Sequence, residues 1–157
     1  MKKIFICIFL VTFLILSFFI GKSFLSNTSS EFSLIQDNWK IELSDKPLSE
    51  SIILNNTGGI TGDGQKIITF EYNSNQIESI KKDLLFLDYN EHLKMKFDEL
   101  QFLINEPTEL DLYTKSLKDI YSNIEYNKFF IVENNSKFLI FVLNSKSNKL
   151  TAFVNYQ

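Results

Sequence analysis

An unbroken apolar run from Ile4 to Ile20, relieved only by Thr12 and Ser17, constrains this chain more than any other stretch. As a helix its seventeen residues reach roughly 25 Å at ~1.5 Å each, near the lower limit for crossing a bilayer core. Inside hydrocarbon the backbone must satisfy its own N–H and C=O groups, so a helix is the predicted form. A cleaved signal peptide is the alternative, but its apolar stretch is about 7–15 residues long with a small-residue cut site. The sites here, Gly21-Lys22-Ser23 and Ser26-Asn27-Thr28, fit that pattern poorly. A buried core helix is the third reading. Residues 1–24 are therefore expected to be a transmembrane anchor or signal peptide.

Charge sets the expected orientation. Lys2 and Lys3 precede the run, while Glu31, Asp37, Glu42 and Asp45 are among the first charges well beyond it. Basic residues favour the cytoplasmic side, which puts the N-terminus inside and the rest of the chain outside, or secreted if the leader is cut. Lys22 weakens this asymmetry but can snorkel to the interface. Cys7 lies within the apolar run, not behind it, so it does not match a lipoprotein cysteine; a small membrane-embedded hydrophobe is the simpler reading, with acylation the alternative.

The remaining 133 residues suffice for one domain with a real core. All 16 basic residues of the chain are lysine; apart from Lys2, Lys3 and Lys22, 13 face 19 acidic residues, a net charge of −6. That balance argues against a nucleic-acid partner, whose phosphates demand a basic face. The absence of arginine removes the bidentate fork for carboxylate and phosphate. With no cysteine after Cys7, an exported domain must rely on packing alone. Plentiful Asn, Lys, Ile and Phe without Arg points to an AT-rich bacterial genome.

Residues 25–35, with Asn27, Thr28, Ser29 and Ser30, read as a stalk, and 36–157 as the folded domain. Trp39 to Leu43 alternates apolar and polar, which predicts a strand; Ser51 to Leu54 and Lys66 to Tyr72 are two more. Helical spacing predicts helices from Gln76 to Phe86, capped by Asn75, from His92 to Ile104, with Phe102 on its apolar side, and from Glu109 to Tyr121. Phe129–Val132, Phe138–Leu143 and Leu150–Tyr156, parted by short polar breaks, predict an antiparallel meander. The expected class is α+β: an N-terminal transmembrane helix, then one small domain with an antiparallel sheet and two or three helices.

Four of the five glycines fall within Gly58-Gly59-Ile60-Thr61-Gly62-Asp63-Gly64. A nucleotide cradle is opposed by detail, because Gln65 stands where a phosphate-loop lysine belongs and a strand follows instead of a helix. A structural turn, or a loop presented to a partner or ligand through Gly58, Gly59, Thr61, Gly62, Asp63 and Gly64, remains. The stretch Asn56 to Gly64 followed by a strand resembles a turn in small exported proteins of Gram-positive bacteria, which often read Asp-(Ser/Thr)-His-Gly-Gly-Phe-(His/Leu)-Gly-Asp-Gly. They also tend to end in a hydrophobic hairpin like Phe138 to Tyr156, so the likeness spans about half the chain. It implies fold and export, with no known activity. Asn55 or Asn56, Thr57 and Ile60 replace the usual Asp, His and Phe, so an activity needing that histidine would be missing here.

Other chemistry is sparse. His92 is the sole histidine, beside Asp88 and Glu91, and reads as a surface residue before a metal ligand or proton relay. No serine has a nucleophile-elbow context, and no cofactor or calcium motif is present. Asp98 with Glu99, or Glu106, Glu109 and Asp111, are candidate acid–base pairs, with solvated surface carboxylates the simpler account. Tyr113, Tyr121, Tyr126 and Phe130 are candidates for an exposed aromatic surface, against core packing. The expected function is a membrane-tethered binding or accessory domain at a bacterial cell envelope, facing an envelope protein or wall component. The competing expectation is a carboxylate-based hydrolase acting on cell-wall glycans. A toxin-immunity or phage-derived protein also fits the size and anchor.

Overall fold

The computed structural model describes residues 30–58 and 63–156. The apolar run Ile4–Ile20 and the loop residues Gly59, Ile60, Thr61 and Gly62 lie outside them. The fold is α+β, with four helices among the described residues where two or three are expected.

The first helix, α1 (Glu31–Trp39), starts within the expected stalk. Ser30 caps it, its Oγ accepting from Ser33 N at 3.2 Å, and Phe32, Ile35 and Trp39 share a buried face. Lys40 ends it in the left-handed region (φ 54°), so the chain turns and does not continue. The expected strand from Trp39 to Leu43 therefore does not form. Ile41 and Leu43 are buried beside α1, and their N–H groups bond Gln36, through its backbone O at 3.2 Å and its Oε1 at 2.9 Å. The alternation reports one-sided burial of an extended segment with no sheet partner.

Strands β1 (Ser49–Asn55) and β2 (Gln65–Glu71) pair across the glycine loop. Helix α2 (Ser74–Asp83) follows, capped by Asn73 and not Asn75: Asn73 Oδ1 accepts from Gln76 N while Gln76 Oε1 accepts from Asn73 N, a reciprocal box. Helix α3 (Glu91–Leu103) is capped by Asn90 and turns Leu93, Phe97 and Leu100 inward. Phe102 faces solvent, 87% exposed, because it lies off that stripe. Pro107 opens α4 (Pro107–Ser122), where its missing N–H costs nothing. A short 3-10 turn leads into the meander β3 (Asn127–Asn134), β4 (Lys137–Asn144) and β5 (Lys149–Asn155).

All pairings are antiparallel, in the order β1-β2-β5-β4-β3. Both sheet faces are covered. Leu139, Phe141, Leu143, Ala152 and Val154 pack with Phe32, Ile35, Trp39, Ile77 and Ile80 of α1 and α2. Phe138, Ile140, Val142 and Phe153 pack with Leu93, Phe97, Tyr113, Leu117 and Ile120 of α3 and α4. Burial on both sides is why Phe138 to Leu143 is continuously apolar. Phe153 anchors the second layer with edge-to-face contacts to Phe97 at 5.2 Å and Tyr113 at 6.2 Å.

Candidate functional site

The glycine loop joins β1 to β2, and its described ends are strained in one place. Gly64 has φ 139°, and a Cβ there would lie 1.9 Å from the backbone oxygen of Asn56. Only glycine fits that approach. Gly58 has no such constraint, with nothing within 4 Å of an added Cβ. Asn55 Oδ1 accepts from Thr57 N at 3.3 Å and Thr57 Oγ1 at 2.6 Å, which pins the way into the loop. Asp63 is exposed.

A pocket of about 430 Å³ opens beside this loop, lined by Glu31, Leu34, Asn38, Trp39, Thr57, Lys66, Asn134, Lys137 and Tyr156. Three parts of the chain supply most of it. Helix α1 supplies Glu31, Leu34, Asn38 and Trp39; β2 supplies Lys66, just after the loop; the β3–β4 turn supplies Asn134 and Lys137. Asn135 takes the left-handed conformation this turn requires (φ 58°). Tyr156 closes the wall, held by its backbone N–H to Gly64 O at 2.9 Å, with its ring 6.4 Å from that of Trp39.

Electrostatics within the pocket are lopsided. Lys66 Nζ donates to both carboxylate oxygens of Glu31 at 3.0 Å, and the two side chains are only 11% and 17% exposed. Glu50, from β1, accepts the N–H groups of Glu31 and Phe32 at 3.3 Å, placing a negative charge at the start of α1. Lys137 makes no ion pair among the described residues. Burial raises the Tyr156 phenol above its ordinary range, with Asn38 and Trp39 working against the rise and Glu31 adding to it. The Trp39 indole N–H lies close by but outside hydrogen-bond geometry to any described residue.

Two other hollows have polar groups that are partly bonded from within. A 190 Å³ cleft between the sheet and α4 holds Thr69, Thr151, Asn127 and Asn144. Its polar groups bond one another: Thr69 with Thr151 at 3.2 Å, Asn144 to Asn127 at 2.8 Å, and Asn127 to Ile120 O at 2.9 Å. A groove between α1 and α2 carries Asp37, Glu42 and Asp83, but Asp83 Oδ2 is already bonded by Ser44 N at 2.9 Å and Oγ at 2.7 Å.

The remaining sequence candidates scatter. His92 Nε2 meets Glu133 Oε1 at 2.5 Å, and Lys96 bridges Glu133 at 3.1 Å and Glu99 at 3.0 Å. The desolvation of Glu133 is outweighed by its bonds from His92 and Lys96, which hold its carboxyl below the usual range. Asp98, Glu106 and Asp111 are exposed, and Glu109 is half-buried. Tyr113 belongs to the core, donating to Phe97 O at 2.5 Å, whereas Tyr121 and Tyr126 are partly exposed and Phe130 stacks on Phe141. No group of three or more His, Cys, Asp or Glu among the described residues could hold a metal ion. No described helix is long and apolar enough to cross a membrane. No family model, curated protein or solved structure matches the chain.

Sequence reasoning named the loop but missed Glu31, Trp39, Lys66 and Tyr156. The one available signal was Lys66 itself, a charge at the head of the strand-like stretch that runs to Phe70.

Proposed function

We propose that the chain is a membrane-tethered, extracytoplasmic binding domain of a bacterial envelope, and that the pocket beside the glycine loop receives a wall component. The leader Ile4–Ile20, with Lys2 and Lys3 before it, supports the location. The pocket supports the activity, and one observation carries it: aromatic walls, side-chain amides and an internally neutralised ion pair converge in a single concave site. That mixture of apolar surface with a few fixed polar groups is what small-ligand sites use. Hydrolysis is less well supported, since it needs two working carboxylates. Among the described residues Glu31 is the only carboxylate in the lining, and Lys66 occupies both its oxygens.

Co-sedimentation with purified bacterial sacculi tests this reading. The full-length protein in detergent should pellet with sacculi, and Asn38→Asp with Asn134→Asp should reduce the pelleted fraction without lowering the melting temperature. Sacculi that leave the protein in the supernatant would count against it.

A further inference from the structure

We infer that the pocket selects an anionic wall glycan or polyol, a sugar or polyol unit bearing a carboxylate or phosphate; this rests on the envelope-binding reading above. Volume bounds the ligand. About 430 Å³ lies in the range of about 300–1,000 Å³ used for small molecules. The apolar wall of Leu34, Trp39 and Tyr156 offers the C–H face of a ring somewhere to pack, while Asn38, Asn134 and Thr57 offer donors and acceptors for hydroxyl and acetamido groups.

Charge then decides among glycans and polyols. Among the described residues three charged side chains line the site, and two of them cancel, since Lys66 and Glu31 are bonded to each other in a largely desolvated setting. Among the described residues of the lining, the exposed Lys137 is left without an ion pair, a local positive charge in a domain of net −6. A neutral sugar would leave that ammonium unused; an anionic substituent would meet it. Lysine acts as a point charge and not a planar fork, so carboxylate and phosphate are both acceptable to it. The shared ligand chemistry is therefore an anionic group on a sugar or polyol, from a glycan strand or from a phosphate-linked wall polymer.

The chain contains a single tryptophan, and it lines this pocket, so its emission reads occupancy directly. Full-length protein in detergent would be titrated with N-acetylmuramic acid, a glycerol phosphate oligomer and neutral N-acetylglucosamine. We expect a saturable change in Trp39 emission with at least one of the two anions, at a dissociation constant about tenfold below that for the neutral sugar, and about a tenfold loss for that anion in Lys137→Gln. The carboxylate and phosphate arms separate the two sources. Equal affinity for the neutral sugar, or indifference to Lys137→Gln, would overturn the charge selection while leaving a wall-binding pocket in place. No saturable response to any of the three would overturn the glycan or polyol assignment, and sacculus co-sedimentation would then decide separately whether the envelope reading survives.

Discussion

Lys66 and Glu31 are joined through both carboxylate oxygens at 3.0 Å, tying the strand that leaves the glycine loop to the first turn of α1. The pair thus welds together two walls of the pocket. With its Lys66 side chain only 11% exposed, removing one partner strands a charge in a poorly hydrated place. Glu31→Gln should cost about 1–3 kcal/mol in urea unfolding of the full-length protein. Glu31→Leu with Lys66→Met should restore most of that loss, because replacing both partners by apolar groups avoids the stranded charge. A double variant as unstable as the single one would contradict this account.

The two described glycines of the loop should respond differently. Gly64→Ala places a methyl 1.9 Å from Asn56 O on a backbone at φ 139°, so a loss of roughly 1–3 kcal/mol is expected. Gly58→Ala meets nothing within 4 Å and should stay within about 0.5 kcal/mol of wild type. Chemical denaturation midpoints of the two variants make the comparison, and similar midpoints would remove the argument for a tight approach at Gly64.

Phe97 and Phe102 stand on the same helix with opposite fates. Phe97 is fully buried against Phe129 and Phe153, so Phe97→Ala should cost about 3–5 kcal/mol. Phe102→Ala, at a position 87% exposed, should change stability by no more than about 0.5 kcal/mol. Comparable losses at both positions would mean that α3 is packed on a different face.

How much of this was legible in the sequence depends on how far apart the partners lie. The meander was readable because Asn144–Lys149 and Glu133–Lys137 interrupt strongly apolar runs, and β3–β5 appear there within a residue or two. The second helical layer was also written in Phe138–Leu143: six consecutive apolar residues need cover on both faces, where a half-exposed strand would alternate. Helix α1 was obscured because Phe32 sits in a serine- and asparagine-rich segment and Trp39–Leu43 imitates a strand. The pocket was hidden for a different reason. Glu31, Lys66, Asn134 and Tyr156 are brought together only by the strand order and the helix laid across it, and no local pattern encodes that meeting.

Acid should weaken the contact between α3 and β3. Glu133 has its carboxyl held below the usual range, despite desolvation, by His92 and Lys96. A depressed carboxylate stabilises the fold above its unfolded value, near 4.5, and that contribution fades as pH falls through the lower folded value. Glu133→Gln should therefore melt lower than wild type at neutral pH and converge with it at strongly acidic pH. Melting curves measured from pH 7 downwards test this. A gap between the two proteins that stays constant across the range would contradict it.

The central claim is that the leader carries this domain across a membrane and holds it there. Protease shaving of intact bacteria producing the full-length chain, followed by fractionation, tests that claim most directly. The account predicts a membrane-pelleting protein whose residues beyond 30 are digested from outside while the cells stay whole. A domain protected until lysis, or full-length protein recovered from detergent-free cytosol, would contradict it.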